Sequence, residues 1–216
     1  MSKVKRMPTI QLPCRTAHLA VENECLRAEL EHARTQVRAL LEEATTDMLT
    51  GLLNRRGFLR VAESELRRAQ ADQHPLTLIY VDVDGLKALN DEAGHEAGDA
   101  LLVETAALLR AAFRSTDVLA RLGGDEFVVL TRAFHGNGAV IRHRIARLSE
   151  ALHCSGAQSR EISLSAGVIL ATPCAVPALD DLLDRADKAM YEIKHAKSAI
   201  YRSPRRLLPP AFSMAV

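Results

Sequence analysis

The sequence is poor in aromatic residues and in net charge. Aromatic residues make up 4% of the 216 residues and tryptophan is absent, so we expect an aliphatic core and no base-stacking platform for single-stranded nucleic acid. The 28 Lys and Arg residues nearly balance the 27 Asp and Glu residues, which gives a formal charge of +1. No general electrostatic field therefore draws the chain towards nucleic acid or an anionic membrane.

The sequence also has no paired cysteines and no long apolar run. Its four cysteines are Cys14, Cys25, Cys154 and Cys174. The absence of a C-x-x-C pair argues against a zinc site or a disulfide framework and predicts a cytoplasmic protein. Basic residues near the N-terminus have no apolar stretch behind them, unlike a secretory signal. The longest charge-free run, 162–179, contains prolines, so we expect a strand and turn rather than a membrane span.

What is present is the pattern of a globular α+β protein. The chain is 48% hydrophobic and 25% charged, which is enough for a sizeable core. Two leading helices are predicted, near 16–45 and 55–72, followed by the order β-α-α-β-β-α-β-α. The strands are expected at 76–83, 118–122, 127–130 and 162–169. The later helices are expected at 85–92, 98–113, 138–153 and 179–197. We therefore predict a mainly antiparallel sheet with helices covering its faces.

The first helix carries a heptad repeat. One seam position is filled by Leu19, Leu26, Ala33 and Leu40, and the other by Asn23, Leu30, Val37 and Ala44. This narrow stripe favours a parallel coiled coil, and hence a homodimer, over a helix packed on its own domain. The predicted parts of the chain are a disordered tail (1–15), a coiled-coil stalk helix (16–46), one domain (47–202) and a C-terminal tail (203–216).

Carboxylates stand at the ends of two predicted elements. Asp82 and Asp84 close the first strand, while Asp125 and Glu126 follow Gly123-Gly124 at a tight hairpin. The carboxylates converge if this hairpin lies beside the first strand. Hard oxygen ligands of this kind suit Mg²⁺ or Mn²⁺, which neutralise triphosphate oxygens in phosphoryl or nucleotidyl transfer. A solvated acidic turn is the alternative, but two aspartates at the end of a buried strand favour a site.

The polar stretch 90–99 offers groups that suit a purine. Asn90 and Asp99 supply an amide and a carboxylate, and a carboxylate can accept paired hydrogen bonds from guanine that adenine cannot donate. On their own, these residues fit Asx turns and helix capping better. His95 is expected to be structural. Lys87 is either a point charge that reaches a phosphate or a solvated lysine.

The hairpin sequence A-R-L-G-G-D-E-F (120–127) resembles the signature of the GGDEF-domain diguanylate cyclases. Further segments resemble that family's other motifs in the same order: D-M-L-T-G-L-L-N-R-R (47–56), V-D-V-D-G-L-K-A-L-N-D (81–91), G-H-E-A-G-D (94–99), S-L-S-A-G-V (163–168) and A-D-K-A-M-Y-E-I-K (186–194). The resemblance implies a palm-like domain of the ferredoxin-like, nucleotidyl cyclase type. It also implies the condensation of two GTP into cyclic di-GMP and two pyrophosphates, between two domains that face each other.

The resemblance assigns roles to the matching residues. Mg²⁺ or Mn²⁺ would be held by Asp82, the Val83 carbonyl, Asp125 and Glu126. The substrate would contact Asn90, Asp99, Gly123, Gly124 and Lys194. Catalysis would rest on Asp125, Glu126 and Lys87. How Asp125 and Glu126 divide metal binding and deprotonation of the ribose 3′-hydroxyl stays open.

The segment R-S-T-D (114–117) lies five residues before the signature and resembles the family's product-inhibition motif. The resemblance implies that Arg114 and Asp117 bind cyclic di-GMP together with a further arginine, for which Arg144 is the first choice and Arg142 or Arg147 are alternatives. A local salt bridge at a helix end is the alternative, but the spacing before the signature favours the binding site.

The chain departs from the family pattern at the end of its last helix. Ser198 stands where the family usually has a phosphate-contacting arginine, and Lys197 is a possible substitute from one position earlier. The departure implies weakened GTP affinity. It leaves open a catalytically weak domain that senses cyclic di-GMP or GTP. A different nucleotidyl enzyme built on the same palm is a further alternative.

Overall fold

The computed structural model describes residues 14–132, 138–156, 158, 160–172 and 178–202. The tail predicted at 203–216 and nearly all of the tail predicted at 1–15 lie outside these residues. The helices are α1 (Cys14–Thr45), α2 (Arg55–Ala71), α3 (Leu86–Ala93), α4 (His95–Ala112), α5 (Gly138–Cys154) and α6 (Leu179–Arg202). The strands are β1 (Leu76–Val83), β2 (Val118–Gly123), β3 (Glu126–Thr131) and β4 (Leu164–Ala171). None of the described helices combines the length and the apolar character needed to cross a membrane.

The chain forms two compact units, 1–44 and 45–216. The first unit contains nearly all of α1, which confirms the helix predicted at 16–45. Its heptad stripe is open to solvent, because five of its large apolar side chains are each at least half exposed. These are Leu19, Leu26, Leu30, Val37 and Leu40. Such a surface on a long helix lacks the packing that stabilises most helices in water.

The second unit is built on one four-stranded sheet with the order β2-β3-β1-β4. All three neighbouring pairs are antiparallel. The chain order βαββαβ with this strand order is the ferredoxin-like arrangement. The predicted α+β class and antiparallel sheet are therefore confirmed. In chain order, two helices, α3 and α4, connect β1 to β2.

Helices cover both faces of the sheet. The central strand β1 is buried along its whole length, because β3 and β4 flank it and each of its faces meets a hydrophobic cluster. Ile79 and Val81 belong to one cluster with residues of α4 and α5. Leu78 and Tyr80 belong to the other with residues of α2 and α6. This alternation brings α6 against the face from which Asp82, two residues after Tyr80, also projects.

The backbones of β4 and α6 touch at Gly167. A Cβ atom there would overlap the carbonyl oxygen of Ala186 and the amide nitrogen of Met190. The contact fixes the height of α6 above the sheet, and thereby the positions from which its later lysines extend.

Candidate active site at the end of the sheet

The predicted convergence of carboxylates occurs at the end of β1. Asp82 lies opposite Glu126 in the β1–β3 register, and the Val83 amide donates to the Asp125 carbonyl oxygen at 3.1 Å. The β2–β3 hairpin is therefore the direct neighbour of the aspartate-bearing strand end. The buried Tyr80 is hydrogen-bonded to Glu126, and burial together with the Glu126 charge raises the pKa of the Tyr80 phenol.

One ammonium group joins two of these carboxylates. Lys194 Nζ, on α6, donates to Asp82 Oδ1 at 2.6 Å and to Oδ2 at 2.7 Å, and it lies 4.0 Å from Asp125 Oδ2. Burial, helped by the charges of Asp125 and Asp84, raises the pKa of Asp82 despite the lysine. Burial opposes the charge of Lys194, but its bond to Asp82 and the surrounding carboxylates raise the pKa of its ammonium. The site thus concentrates negative charge that attracts cations.

The hairpin loop above this cluster is held by Arg121. Its Nε and Nη2 atoms donate to the Gly124 carbonyl oxygen at 3.0 and 2.8 Å, and its Nη1 lies 3.2 Å from Asp47 Oδ2. Gly123 and Gly124 have φ of 153° and 51°, which favour glycine. Cβ atoms added to either glycine would meet no atom of the described residues within 4 Å. A ligand can therefore approach this backbone closely.

Asp47 anchors the other side of that contact. Its Oδ1 accepts hydrogen bonds from the Thr50 amide at 2.9 Å and from the Thr50 hydroxyl at 2.6 Å. Burial works against ionisation, but these bonds and the Arg121 guanidinium lower the pKa of Asp47. The D-M-L-T segment is thereby tied to the hairpin that carries the signature.

The two predicted guanine-reading residues lie close together. The side-chain oxygen of Asn90, on α3, is buried and has no hydrogen-bond partner in the described part of the chain. A Cβ atom on Gly98 would overlap it, so glycine at 98 makes room for the Asn90 amide. Asp99, the next residue, is exposed on α4, just after the first turn of that helix. Lys87 is exposed in the first turn of α3.

The R-x-x-D segment forms a tight turn between α4 and β2. The Arg114 amide donates to Asp117 Oδ2 at 2.8 Å, and the Asp117 amide donates to the Arg114 carbonyl oxygen at 3.0 Å. Both residues line a cavity of about 630 Å³. Among the described residues that line it, Arg110 is a second arginine and none belongs to α5. The structure therefore does not bring Arg144, Arg142 or Arg147 of α5 to this cavity.

The residues at the end of the sheet can supply a few of the ligands that a divalent cation needs. In the described part of the chain, no three His, Cys, Asp or Glu side chains are arranged to hold a metal ion. Asp82 and Asp125, however, already share one cationic group. Mg²⁺ commonly uses one or two carboxylates and takes its other ligands from water and substrate phosphates. The donor chemistry of Asp82 and Asp125 therefore fits such a cation.

Sequence reasoning missed a second cluster beside the first. Asp84 accepts hydrogen bonds from Ser163 Oγ and Ser165 Oγ, each at 2.7 Å, and pairs with Lys197 Nζ at 2.8 Å. Lys197 also donates to the Leu164 carbonyl oxygen at 2.7 Å. Lys197 is therefore engaged and is not the free cation that its position next to Ser198 suggests. Two features of the sequence could have indicated this cluster. One is the alternation of the serines in S-L-S (163–165), and the other is the three-residue spacing of Lys194 and Lys197.

Fold and site together define an α+β palm domain with a carboxylate–lysine cluster at one end of its sheet. The chain belongs to the GGDEF family: the family model "Diguanylate cyclase, GGDEF domain" matches residues 44–199.

Individual relatives agree with the family model. The chain is 32% identical over 173 residues to diguanylate cyclase DgcS of Shewanella oneidensis, an alignment that covers 80% of this chain and 57% of that protein. It is 33% identical over 211 residues to diguanylate cyclase TpbB of Pseudomonas aeruginosa, an alignment that covers 94% of this chain and 47% of that protein. The chain thus spans about half the length of these two relatives.

Solved structures show the same fold. Diguanylate cyclase SiaD of Pseudomonas aeruginosa, solved with its activator SiaC, matches with a TM-score of 0.65 and 28% identity over 84% of this chain and 70% of that one. The coiled coil and GGDEF domain of DgcB from Caulobacter crescentus, solved with c-di-GMP, matches with a TM-score of 0.67 over 82% and 95% of the two chains. Because the sequence identity of the second match is 24%, that match shows a shared fold and nothing further.

Proposed function

We propose that this protein is a diguanylate cyclase that condenses two GTP molecules into cyclic di-GMP and releases two pyrophosphates. The observation that carries the proposal is the cation-attracting pair of Asp82 and Asp125, which lies beside the open backbone of Gly123-Gly124. Curated relatives named as diguanylate cyclases support the reaction.

In this proposal each polar residue at the end of the sheet has a role in binding or catalysis. Asp82, the Val83 carbonyl and Asp125 hold Mg²⁺ or Mn²⁺, which when bound neutralises phosphate charge during nucleotidyl transfer. Glu126, oriented by Tyr80, accepts the proton of the ribose 3′-hydroxyl. Lys194 and Lys87 contact phosphates, and the Gly123-Gly124 backbone passes under them.

Guanine is read at the α3–α4 junction. Asp99 accepts from guanine N1–H and N2–H₂, and the Asn90 amide supplies a further polar contact. Because Asn90 has a buried oxygen without a partner, a ligand that donates to it would remove the cost of leaving that group unsatisfied. Adenine, which lacks the paired donors, would be bound more weakly.

The condensation needs two domains, because each ribose hydroxyl attacks the α-phosphate of the other nucleotide. The exposed heptad stripe of α1 supports a homodimer formed through a parallel coiled coil. In the full-length chain, Leu26→Glu combined with Leu30→Glu is expected to lower the sedimentation mass from dimer to monomer. Val21→Glu, on an equally exposed residue outside the stripe, is the matched control. A dimer in both variants would contradict the coiled-coil proposal.

Product inhibition is assigned to Arg114 and Asp117. The cavity that they line has a volume in the range of small-molecule sites, and an arginine can form paired hydrogen bonds with a phosphate or guanine. The third arginine, Arg144 in our proposal, would come from the second domain of the dimer, since α5 does not line this cavity within one chain.

The activity test is direct. Purified protein is incubated with GTP and Mg²⁺, and the products are identified by mass. Cyclic di-GMP is expected from the wild type and from Asp184→Ala, an exposed carboxylate on α6, but not from Asp125→Ala. Arg114→Ala is expected to weaken inhibition by added cyclic di-GMP, whereas Arg60→Ala, on an exposed arginine of α2, leaves it unchanged. Wild-type protein that makes no cyclic di-GMP at high concentration would reject the proposal.

One observation favours a second candidate, a domain that binds nucleotide without efficient turnover. Ser198 is exposed and donates to the Lys194 carbonyl oxygen at 3.0 Å, and the neighbouring Lys197 is engaged with Asp84. Among the described side chains, the late turns of α6 therefore present fewer free cations to a triphosphate than the family pattern implies. Binding of GTP or cyclic di-GMP without product formation in the same assay would support this candidate.

A further inference from the structure

The last part of α6 is joined to the sheet by two lysine–aspartate pairs in succession. Lys194 pairs with Asp82 at 2.6 Å, and Lys197 pairs with Asp84 at 2.8 Å. Residues three apart on a helix lie on one face, so both lysines point towards the same end of the sheet. The two aspartates are likewise two residues apart at the end of β1.

The second pair is embedded in a network that links β1 to β4. The two oxygens of Asp84 receive three donors, from Ser163, Ser165 and Lys197, and the Asp84 amide donates to the Ser163 carbonyl oxygen at 3.0 Å. Hydrogen bonds that involve an ionised partner are the strong ones.

Lys197 has little capacity left for a nucleotide. An ammonium group has three donors, and those of Lys197 have three oxygen neighbours: Asp84 Oδ2 at 2.8 Å, the Leu164 carbonyl at 2.7 Å and Ser163 Oγ at 3.5 Å. A direct phosphate contact would require it to give up an ion pair and a bond to the β4 backbone.

We propose that Lys197 is a positioning residue: it fixes the late turns of α6 to β1 and β4 so that Lys194, one turn earlier, stays at the Asp82–Asp125 carboxylates. Without this tie, Lys194 makes the one ion pair left between the sheet and the described side chains near the C-terminal end of the helix, and helix ends open most readily. The inference rests on the proposed function where it concerns GTP, because Lys194 is there a phosphate contact. Its structural part, the placement of Lys194, can be tested without substrate.

The substrate-free test measures the accessibility of Lys194. Reductive methylation of the full-length wild type, followed by peptide mass spectrometry, gives the labelling rate of this amine. Lys197→Met keeps the apolar stem and removes the ammonium, and it is expected to raise the Lys194 rate about tenfold, which is the scale of one lost charge-assisted bond. Lys197→Arg is expected to restore the wild-type rate. Lys188→Met, on an exposed lysine of the same helix, is the matched control.

A kinetic double-mutant cycle separates positioning from direct contact. Lys197→Met is expected to raise the KM for GTP about tenfold in the wild type and less than about twofold in a Lys194→Met background. Equal increases in both backgrounds would show that Lys197 contacts the substrate itself and would overturn the proposal.

The outcomes distinguish this inference from the proposed function. If the wild type makes no cyclic di-GMP, the proposed function fails while the labelling experiment still decides the placement of Lys194. An unchanged Lys194 labelling rate in a folded Lys197→Met variant would overturn the inference whatever the activity. If Lys197→Met does not fold, Asp84→Asn removes the same pair with an isosteric side chain and must give the same rise in labelling.

Discussion

The contact of Arg121 with Gly124 and Asp47 predicts a measurable loss of stability when the guanidinium is removed. Arg121→Met keeps most of the side chain's length but removes two hydrogen bonds to the Gly124 carbonyl and the ion pair with Asp47. The side chains of Arg121 and Asp47 are 13% and 22% exposed, so solvent screens the pair only in part. Bonds that involve a charged group contribute about 1.5 kcal/mol each at the low end, and two separate partners give a loss of about 3 kcal/mol.

The assay is urea unfolding of the full-length chain, with thermal unfolding as a second measurement. A loss of about 3 kcal/mol corresponds to a fall of roughly 6–12 °C in Tm for a domain of this size. The stability of Arg121→Lys is expected to lie between those of wild type and Arg121→Met. Lysine keeps the positive charge but lacks the planar guanidinium that forms paired hydrogen bonds. Arg60→Met, on an exposed arginine of α2, is expected to stay within about 0.5 kcal/mol of wild type.

A double-mutant cycle with Asp47→Asn tests the assigned partner. Because the two side chains touch, we expect a coupling free energy of about 1 kcal/mol between Arg121→Met and Asp47→Asn. Arg121→Met with the unfolding midpoint of wild type, or a coupling below about 0.3 kcal/mol, would refute the reasoning. In that case Arg121 would not link the hairpin to the D-M-L-T segment in solution.

Three further predictions concern α6, β4 and the residue that follows β1. Ser198→Arg is expected to lower the KM for GTP several-fold by restoring a cation near the phosphates, and an unchanged KM would contradict this. Gly167→Ala forces a Cβ into the backbone of α6 and is expected to cost about 1–3 kcal/mol in urea unfolding; a neutral effect would show that α6 can move away. Asp84 has a folded pKa below its unfolded value, so its stabilisation is complete above about pH 4 and is lost as pH falls through the folded pKa. The difference in unfolding free energy between wild type and Asp84→Asn should therefore shrink below about pH 4, and a constant difference would contradict the shift.

The order of elements and the place of the site could be predicted because they depend on local patterns. β1 is apolar at nearly every position, and its burial on both faces follows from that. The Gly123-Gly124 turn fixed the β2–β3 hairpin, which in turn placed Glu126 opposite Asp82. Boundaries were less predictable: α4 begins at His95 rather than Gly98, because Gly94 alone, at φ of 84°, separates it from α3. β4 begins at Leu164 rather than Ile162, because its register with β1 begins at Val83 opposite Leu164.

The contacts between distant side chains could not be read from the sequence, and they decide what the lysines do. Lys194 and Lys197 are both plausible phosphate ligands when only their spacing is known. Their distances to the sheet separate them: Lys194 contacts Asp82 and lies within reach of Asp125, whereas Lys197 is enclosed by Asp84 and the β4 backbone. The difference arises because Asp82 lies within β1 near the charge of Asp125 on the hairpin, whereas Asp84 follows β1 and is bonded to Ser163 and Ser165. The departure at Ser198 therefore removes a cation from the end of α6 without a replacement at the neighbouring position, so the affinity for a triphosphate should depend on Lys194 more strongly than in a chain that keeps the arginine.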